Sequence, residues 1–261
     1  MTRETQPRPL DGKVAVVTGG SRGLGREMIR AFASAGADVV VASRKLDACE
    51  ALAAEVSDAA GVRALALACH VGEWEQLDDL TERTYDEFGQ VDILVNNAGM
   101  APLYPSLTDV TEALFDKVVA VNLKGPFRLT ALMGARMKAA GAGSIINIST
   151  LGTLRPQPTE LPYAAAKAGL NVLTQGFAVE LGPEVRVNGI LVGPFLTDIS
   201  KAWDVEAFES HARDRYPLQR LGRPEEIVGT AMYLATDAST FTTGTLITVD
   251  GGIAVSSPFH H

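Results

Sequence analysis

Tyr163 and Lys167 stand four positions apart in the run Tyr163-Ala164-Ala165-Ala166-Lys167. On a helix, positions i and i+4 share a face, so the Lys167 ammonium would lie near the Tyr163 phenol. A nearby cation favours the phenolate and lowers the phenol's pKa. Such a phenol can exchange a proton near neutral pH. The same spacing also suits a plain surface or packing pair, so the chemistry depends on what else the chain supplies.

Upstream, Thr18-Gly19-Gly20-Ser21-Arg22-Gly23-Leu24-Gly25 follows the apolar run Val14-Ala15-Val16-Val17 and precedes a helical pattern over Arg26 to Ala35. A glycine-rich turn between strand and helix lets backbone approach a phosphate, and the helix N-terminus adds amide donors and positive dipole. The spacing of Gly19, Gly23 and Gly25 departs from the common G-x-G-x-x-G fingerprint. A tight turn that binds nothing is the competing reading.

With further segments in order, the chain from about Leu10 to Ile253 resembles the short-chain dehydrogenase/reductase family. Those segments are Asn96-Asn97-Ala98-Gly99, then Asn122 within Val121-Asn122-Leu123-Lys124-Gly125, then Tyr163 and Lys167. Gly193 and Thr197 follow, and Val249-Asp250-Gly251-Gly252 closes the series. The resemblance implies a Rossmann-type, doubly wound α/β sheet and a nicotinamide dinucleotide with its pyrophosphate over Gly19 to Gly25, touching Ser21, Arg22, Gly23 and Leu24. Further cofactor contacts are implied at Ser43, Arg44, His70, Val71, Asn97, Ala98, Gly99, Gly193 and Thr197. In this scheme Tyr163 gives a proton to a substrate carbonyl, and Lys167 holds the phenol's pKa down and reaches the nicotinamide ribose. Asn122 helps position a relay water. The cofactor brings the hydride; the protein supplies orientation and electrostatics.

Two positions depart from the family pattern. The catalytic serine usually stands thirteen residues before the tyrosine, and that place holds Thr150, with Ser149 beside it. Thr has the same hydroxyl donor and acceptor as Ser, so either Thr150 acts or Ser149 does. Where relatives often carry an aspartate after the third strand, this chain has His70, which could stack on adenine, hydrogen-bond it or face water. Cofactor choice is expected at the end of the second strand, Val41-Ala42-Ser43-Arg44. An acidic residue there would hold an NAD ribose. Neutral Ser43 with Arg44, and Arg22 in the glycine-rich loop, suit the 2′-phosphate of NADP(H) instead.

The 261 residues, 46% of them hydrophobic, predict one α/β domain, residues 1–261, with a large core. Strands are expected near Val14–Thr18, Asp38–Ser43, Arg63–Cys69, Ile93–Asn96, Ser144–Ile148, Arg186–Leu191 and Thr245–Val249, in a parallel sheet of about seven strands. The longest helix is expected over Thr111 to Met137. By position, Phe195 to Tyr216 resembles the family's substrate lid. A net charge of −8 argues against nucleic acid or anionic membrane as partners. Cys49 and Cys69 read as reduced thiols in a cytoplasmic protein, without a metal site. A homotetramer is expected through the helices beginning near Thr111 and Pro162, on the apolar residues Leu170, Leu173, Phe177 and Leu181. The leading function is a reductase interconverting a ketone and a secondary alcohol. Pocket candidates Met100, Leu103, Leu151, Leu154, Phe195 and Trp203 favour an apolar or cyclic body, with Arg155 as the one cation able to hold a carboxylate. The alternatives are a 3-oxoacyl-thioester reductase and a dinucleotide-binding sensor or scaffold without turnover.

Overall fold

A computed structural model describes residues 8–197 and 205–256. The strands are β1 Val14–Thr18, β2 Asp38–Ser43, β3 Ala64–Ala68, β4 Ile93–Asn96, β5 Gly143–Thr150, β6 Val185–Val192 and β7 Leu246–Val249. All pair in parallel, in the order β3-β2-β1-β4-β5-β6-β7. Their Val, Ile, Leu and Ala content suits strands covered on both faces. The helices are α1 Gly23–Ser34, α2 Leu46–Ala60, α3 Trp74–Phe88, α4 Glu112–Val119, α5 Gly125–Ala140, α6 Leu161–Leu181, α7 Val205–Arg215 and α8 Val228–Ala235.

Alternating strand residues feed two cores. Ala15, Val17, Val39 and Val41 pack on one face with Met28 and Phe32 of α1 and Leu234 of α8. Val16, Val40 and Ala42 point the other way, towards Leu77 and Leu80 of α3, Leu129 and Met133 of α5, and Leu181 of α6. The strand order reverses direction between β1 and β4. In open parallel sheets, a crevice for ligands opens at the carboxyl ends of the strands beside such a switch.

Two differences from the sequence reading bear on that crevice. Strand β5 runs on to Thr150 instead of ending at Ile148. The helix expected over Thr111–Met137 is interrupted: α4 and α5 are joined by a π turn, Ala120–Lys124, in which Gly125 N–H reaches Ala120 O. The longest helix is therefore α6, with 21 residues. A π turn inserts one residue into a helix and often marks a functional position; here it carries Asn122.

Candidate active site

The turn after β1 is shaped by backbone alone. Gly19 and Gly23 have φ of +62° and +53°, in the left-handed region open to glycine. Gly25 is needed for a different reason: a Cβ there would lie 2.4 Å from Gly19 O. Asn97 fixes the turn from the other side of the switch, its Nδ2 donating to Thr18 O at 2.8 Å and Gly19 O at 3.2 Å. Thr18 Oγ1 accepts from the backbone amides of both Asn97 and Ala98, tying β1 to β4. Arg22, at the N-cap of α1, makes no side-chain capping bond, so the helix start is left with amide donors for an anion. Thr197 faces Gly23, its side chain 3.5 Å from where a Cβ would stand. Gly193 crosses Asp250 so closely that a Cβ would meet its Cα at 2.8 Å.

At the end of β2, Ser43 Oγ lies 2.8 Å from Ser21 Oγ and 3.1 Å from Cys49 Sγ. Arg22 and Arg44 are both exposed beside this hydroxyl pair, and neither forms an ion pair among the described residues. After β3, His70 Nδ1 accepts from Gly72 N at 3.1 Å. The ring thus folds back on its own loop, and the proton of the neutral imidazole sits on Nε2. Val71 turns its side chain into the core.

The catalytic candidates converge at the ends of β5 and α6. Successive residues of a strand face opposite sides, and β5 separates the two hydroxyl candidates in this way. Ser149 is 1% exposed, and its buried Oγ has no partner. The Thr150 hydroxyl lies near enough to the Tyr163 phenol to pull its pKa down, and its Oγ1 accepts from Gly152 N at 3.1 Å. Thr150 thus neighbours the tyrosine, while the Ser149 hydroxyl is buried. Lys167, 2% exposed, donates to Ile148 O at 2.7 Å. A Cβ at Gly99 would lie 3.1 Å from Asn122 Oδ1 and 3.7 Å from Lys167 Nζ, so these three residues border one space. Asn122 is held there by bonds from Nδ2 to Met100 O and Val118 O, each 2.9 Å, and from Met100 N to Oδ1.

Electrostatics correct one expectation. Burial and the nearby Glu160 charge push the Tyr163 phenol up to about 12, with only the Thr150 hydrogen bond pulling it down. Lys167 does not offset this, because burial pushes the amine itself down to about 7. Other corrections are steric. Phe195 is not in the pocket: it is buried in the core, its ring against Gly222. Arg155 uses one of its five N–H donors on Ser256 O, at 2.6 Å. Leu170 and Leu181 face the sheet; the exposed large apolar residues of α6 are Leu161, Val172 and Val179. Trp203 lies outside the described residues.

Sequence reasoning missed two residues of this corner. Tyr104 bridges the loops on the substrate side, its hydroxyl donating to Pro158 O at 2.7 Å and accepting from Leu161 N at 3.0 Å. Glu160 packs its carboxylate over Gly152. The only hint in the sequence is its place one turn before Tyr163.

Comparison with known proteins agrees with this geometry. Residues 19–254 match the family model described as "Enoyl-(Acyl carrier protein) reductase". The short chain dehydrogenase/reductase astE of Aspergillus oryzae is 38% identical over 260 residues, covering 98% of this chain and all of that one. A 7α-hydroxysteroid dehydrogenase complexed with NADH and 7-oxo glycochenodeoxycholic acid superposes with a TM-score of 0.89 at 34% identity, covering 94% of this chain and 96% of its own. The L-sorbose reductase of Gluconobacter frateurii, complexed with NADPH and L-sorbose, gives a TM-score of 0.89 at 29% identity, covering 97% and 100%. With the glycine turn, the Tyr163–Lys167 pair and the parallel sheet all in place over nearly the whole length, the chain belongs to the short-chain dehydrogenase/reductase family of oxidoreductases.

Proposed function

We propose that this protein is an NADP(H)-dependent oxidoreductase that interconverts a ketone and a secondary alcohol, with Tyr163 as general acid and base. The observation that carries the reading is the convergence of Thr150 and Tyr163 beside buried Lys167, which donates to Ile148 O at the carboxyl ends of the strands. The bare backbone of Gly19, Ser21, Gly23, Leu24 and Gly25 fits a pyrophosphate. Asn97, Ala98, Gly99, His70 and Val71 border the adenosine side, and Gly193 and Thr197 the nicotinamide side. When bound, the nicotinamide supplies or accepts the hydride. Thr150 orients the carbonyl oxygen, and Tyr163, still protonated well above neutral pH, donates to it. Lys167, close to half-protonated near pH 7, both takes and gives protons there, and Asn122 aids the relay to solvent. The segment 195–216 of this single catalytic domain, of which residues 198–204 lie outside those described, acts as the substrate lid.

Relatives are seen with either NADH or NADPH, so the preference rests on this chain's own residues. Arg22 and Arg44 flank the Ser21–Ser43 hydroxyls without acidic partners, an arrangement suited to a 2′-phosphate. Catalytic efficiency with NADPH and NADH over a panel of ketones tests the reading. Equal or better efficiency with NADH removes the NADP(H) assignment. Cofactor binding without turnover of any ketone would favour the sensor or scaffold.

We propose a small or medium ketone with an apolar or cyclic body over a carrier-bound thioester. Leu103 and Leu154, two of the pocket candidates, are 74% and 56% exposed. An acidic carrier protein needs a basic patch, yet Arg136 pairs with Glu82 and Lys138 caps Glu180 O. Efficiency on an acetoacetyl thioester above that on cyclic ketones would reverse this choice. Assembly as a homotetramer is supported by Val172 and Val179, 68% and 85% exposed on one face of α6, with Gly176 open between them. Light scattering giving a monomer mass at micromolar concentration would refute it. Two free, buried cysteines suit a cytoplasmic setting.

A further inference from the structure

Glu160 is the N-cap of α6, three residues before Tyr163. Its Oε1 lies where a Cβ at Gly152 would be 2.4 Å away, and the same Cβ would be 3.5 Å from Thr150 Cγ2. The carboxylate thus shares one corner with both hydroxyls of the proposed reaction, near enough that its charge raises the Tyr163 phenol. Burial alone shifts the Glu160 carboxyl, and it shifts it upward. No hydrogen bond or ion pair reaches it among the described residues. Arg155, the cation of the same loop, is held by Ser256 O instead. A carboxylate half withdrawn from water without a donor is incomplete, and the group positioned to complete it is one that enters beside the reacting carbonyl.

We propose that Glu160 is a specificity-determining residue: it accepts a hydrogen bond from a hydroxyl or ammonium group of the substrate and rejects ketones that carry a carboxylate near the reacting carbonyl. This rests on the ketone-reductase reading. The test measures kcat/KM for four cyclic ketones of matched size, one plain and the others bearing a hydroxyl, an ammonium or a carboxylate. The wild type should favour a donor-bearing ketone over the plain one by about tenfold, the scale of a hydrogen bond to a charged group. Whichever of the two donors gains more identifies the natural one. The carboxylate ketone should fall about tenfold below the plain one. Glu160→Gln should abolish the ammonium gain and the carboxylate penalty. Gly152→Ala, whose methyl displaces the carboxylate, should do the same and decides the matter if Glu160→Gln does not fold. Equal turnover of all four ketones by the wild type, or discrimination unchanged in a folded variant, overturns this inference and leaves the reductase reading standing. No turnover of any of the four overturns both.

Discussion

The turn between β1 and α1 and the corner between β5 and α6 lie on the same edge of one sheet, and they are built from different materials. In the first, glycines bring backbone against backbone: Gly19 and Gly23 adopt positive φ, and Gly25 passes within a missing Cβ of Gly19 O. In the second, side chains from separate segments meet: Thr150 with Tyr163, Lys167 with Ile148, Tyr104 with Pro158 and Leu161. A shape made by backbone tolerates almost no added atom. An arrangement of side chains tolerates isosteric change in shape but not the loss of a proton or a donor.

That contrast can be broken or sharpened by substitution. Tyr163→Phe keeps the ring and removes the proton. We expect kcat to fall on the order of a hundredfold or more with cofactor affinity nearly intact; activity within severalfold of wild type would show that Tyr163 is not the acid. Thr150→Ala should cost roughly 3 kcal/mol in kcat/KM through loss of a donor to the developing oxyanion. Ser149→Ala, on the opposite face of β5, should cost less, and a larger loss from it would reverse the assignment.

For the backbone-built turn the expectation is inverted. Gly25→Ala places a methyl against main chain that cannot move aside, so folding stability should drop by about 1–3 kcal/mol and cofactor affinity should fall with it. Calorimetry and cofactor titration check this. A variant that binds cofactor like the wild type would mean that the turn has more room than Gly19 O allows.

The smallest effect is one of pH on the ligand-free protein. Burial holds Lys167 near 7, against an ordinary value of 10.5. Between these values the unfolded chain binds a proton that the folded chain lacks, so stability rises with pH in that window. Cys69, held up at about 12 by burial against an ordinary 9.0, works in the opposite direction only at higher pH. Unfolding free energy should therefore increase from pH 7 to about 8.5, by an amount on the order of 1 kcal/mol, and Tm should rise with it. Lys167→Met should flatten the profile; an unchanged slope in that variant would assign the effect elsewhere.

The two regions also differ in how far sequence alone reveals them. Glycine spacing after an apolar run reports a backbone constraint directly, and β1 and β2 begin and end where the sequence places them. The Tyr163–Lys167 pair was legible as a pair, but the direction of its electrostatics was not. Burial of the phenol and the charge of Glu160 outweigh helical proximity, and neither is visible in a spacing of four. Thr150 was left open against Ser149 because a strand read as ending at Ile148 gives no parity for the next two residues. The π turn at Asn122 escaped for a related reason: hydrophobic periodicity continues through it almost unbroken. The sequence reading misplaces Phe195 because its partner, Gly222, is remote in sequence.

Beneath the site, Asn96 and Asn147 face each other in register across β4 and β5. Asn96 Nδ2 donates to Asn147 Oδ1 at 2.8 Å and to Thr130 Oγ1 at 3.1 Å, and Asn147 Nδ2 donates to Thr174 Oγ1 at 2.9 Å. The neighbouring strand residues are nearly all Val, Ile, Leu or Ala, which would pack almost as well one step out of line. A slip of one residue would send each amide to the opposite face of the sheet and strand it without a partner in an apolar interior, at a cost of a few kcal/mol. The amide ladder thus acts as an alignment key during assembly. It rejects mispaired sheets, and so fixes the height at which Thr150 emerges to meet Tyr163.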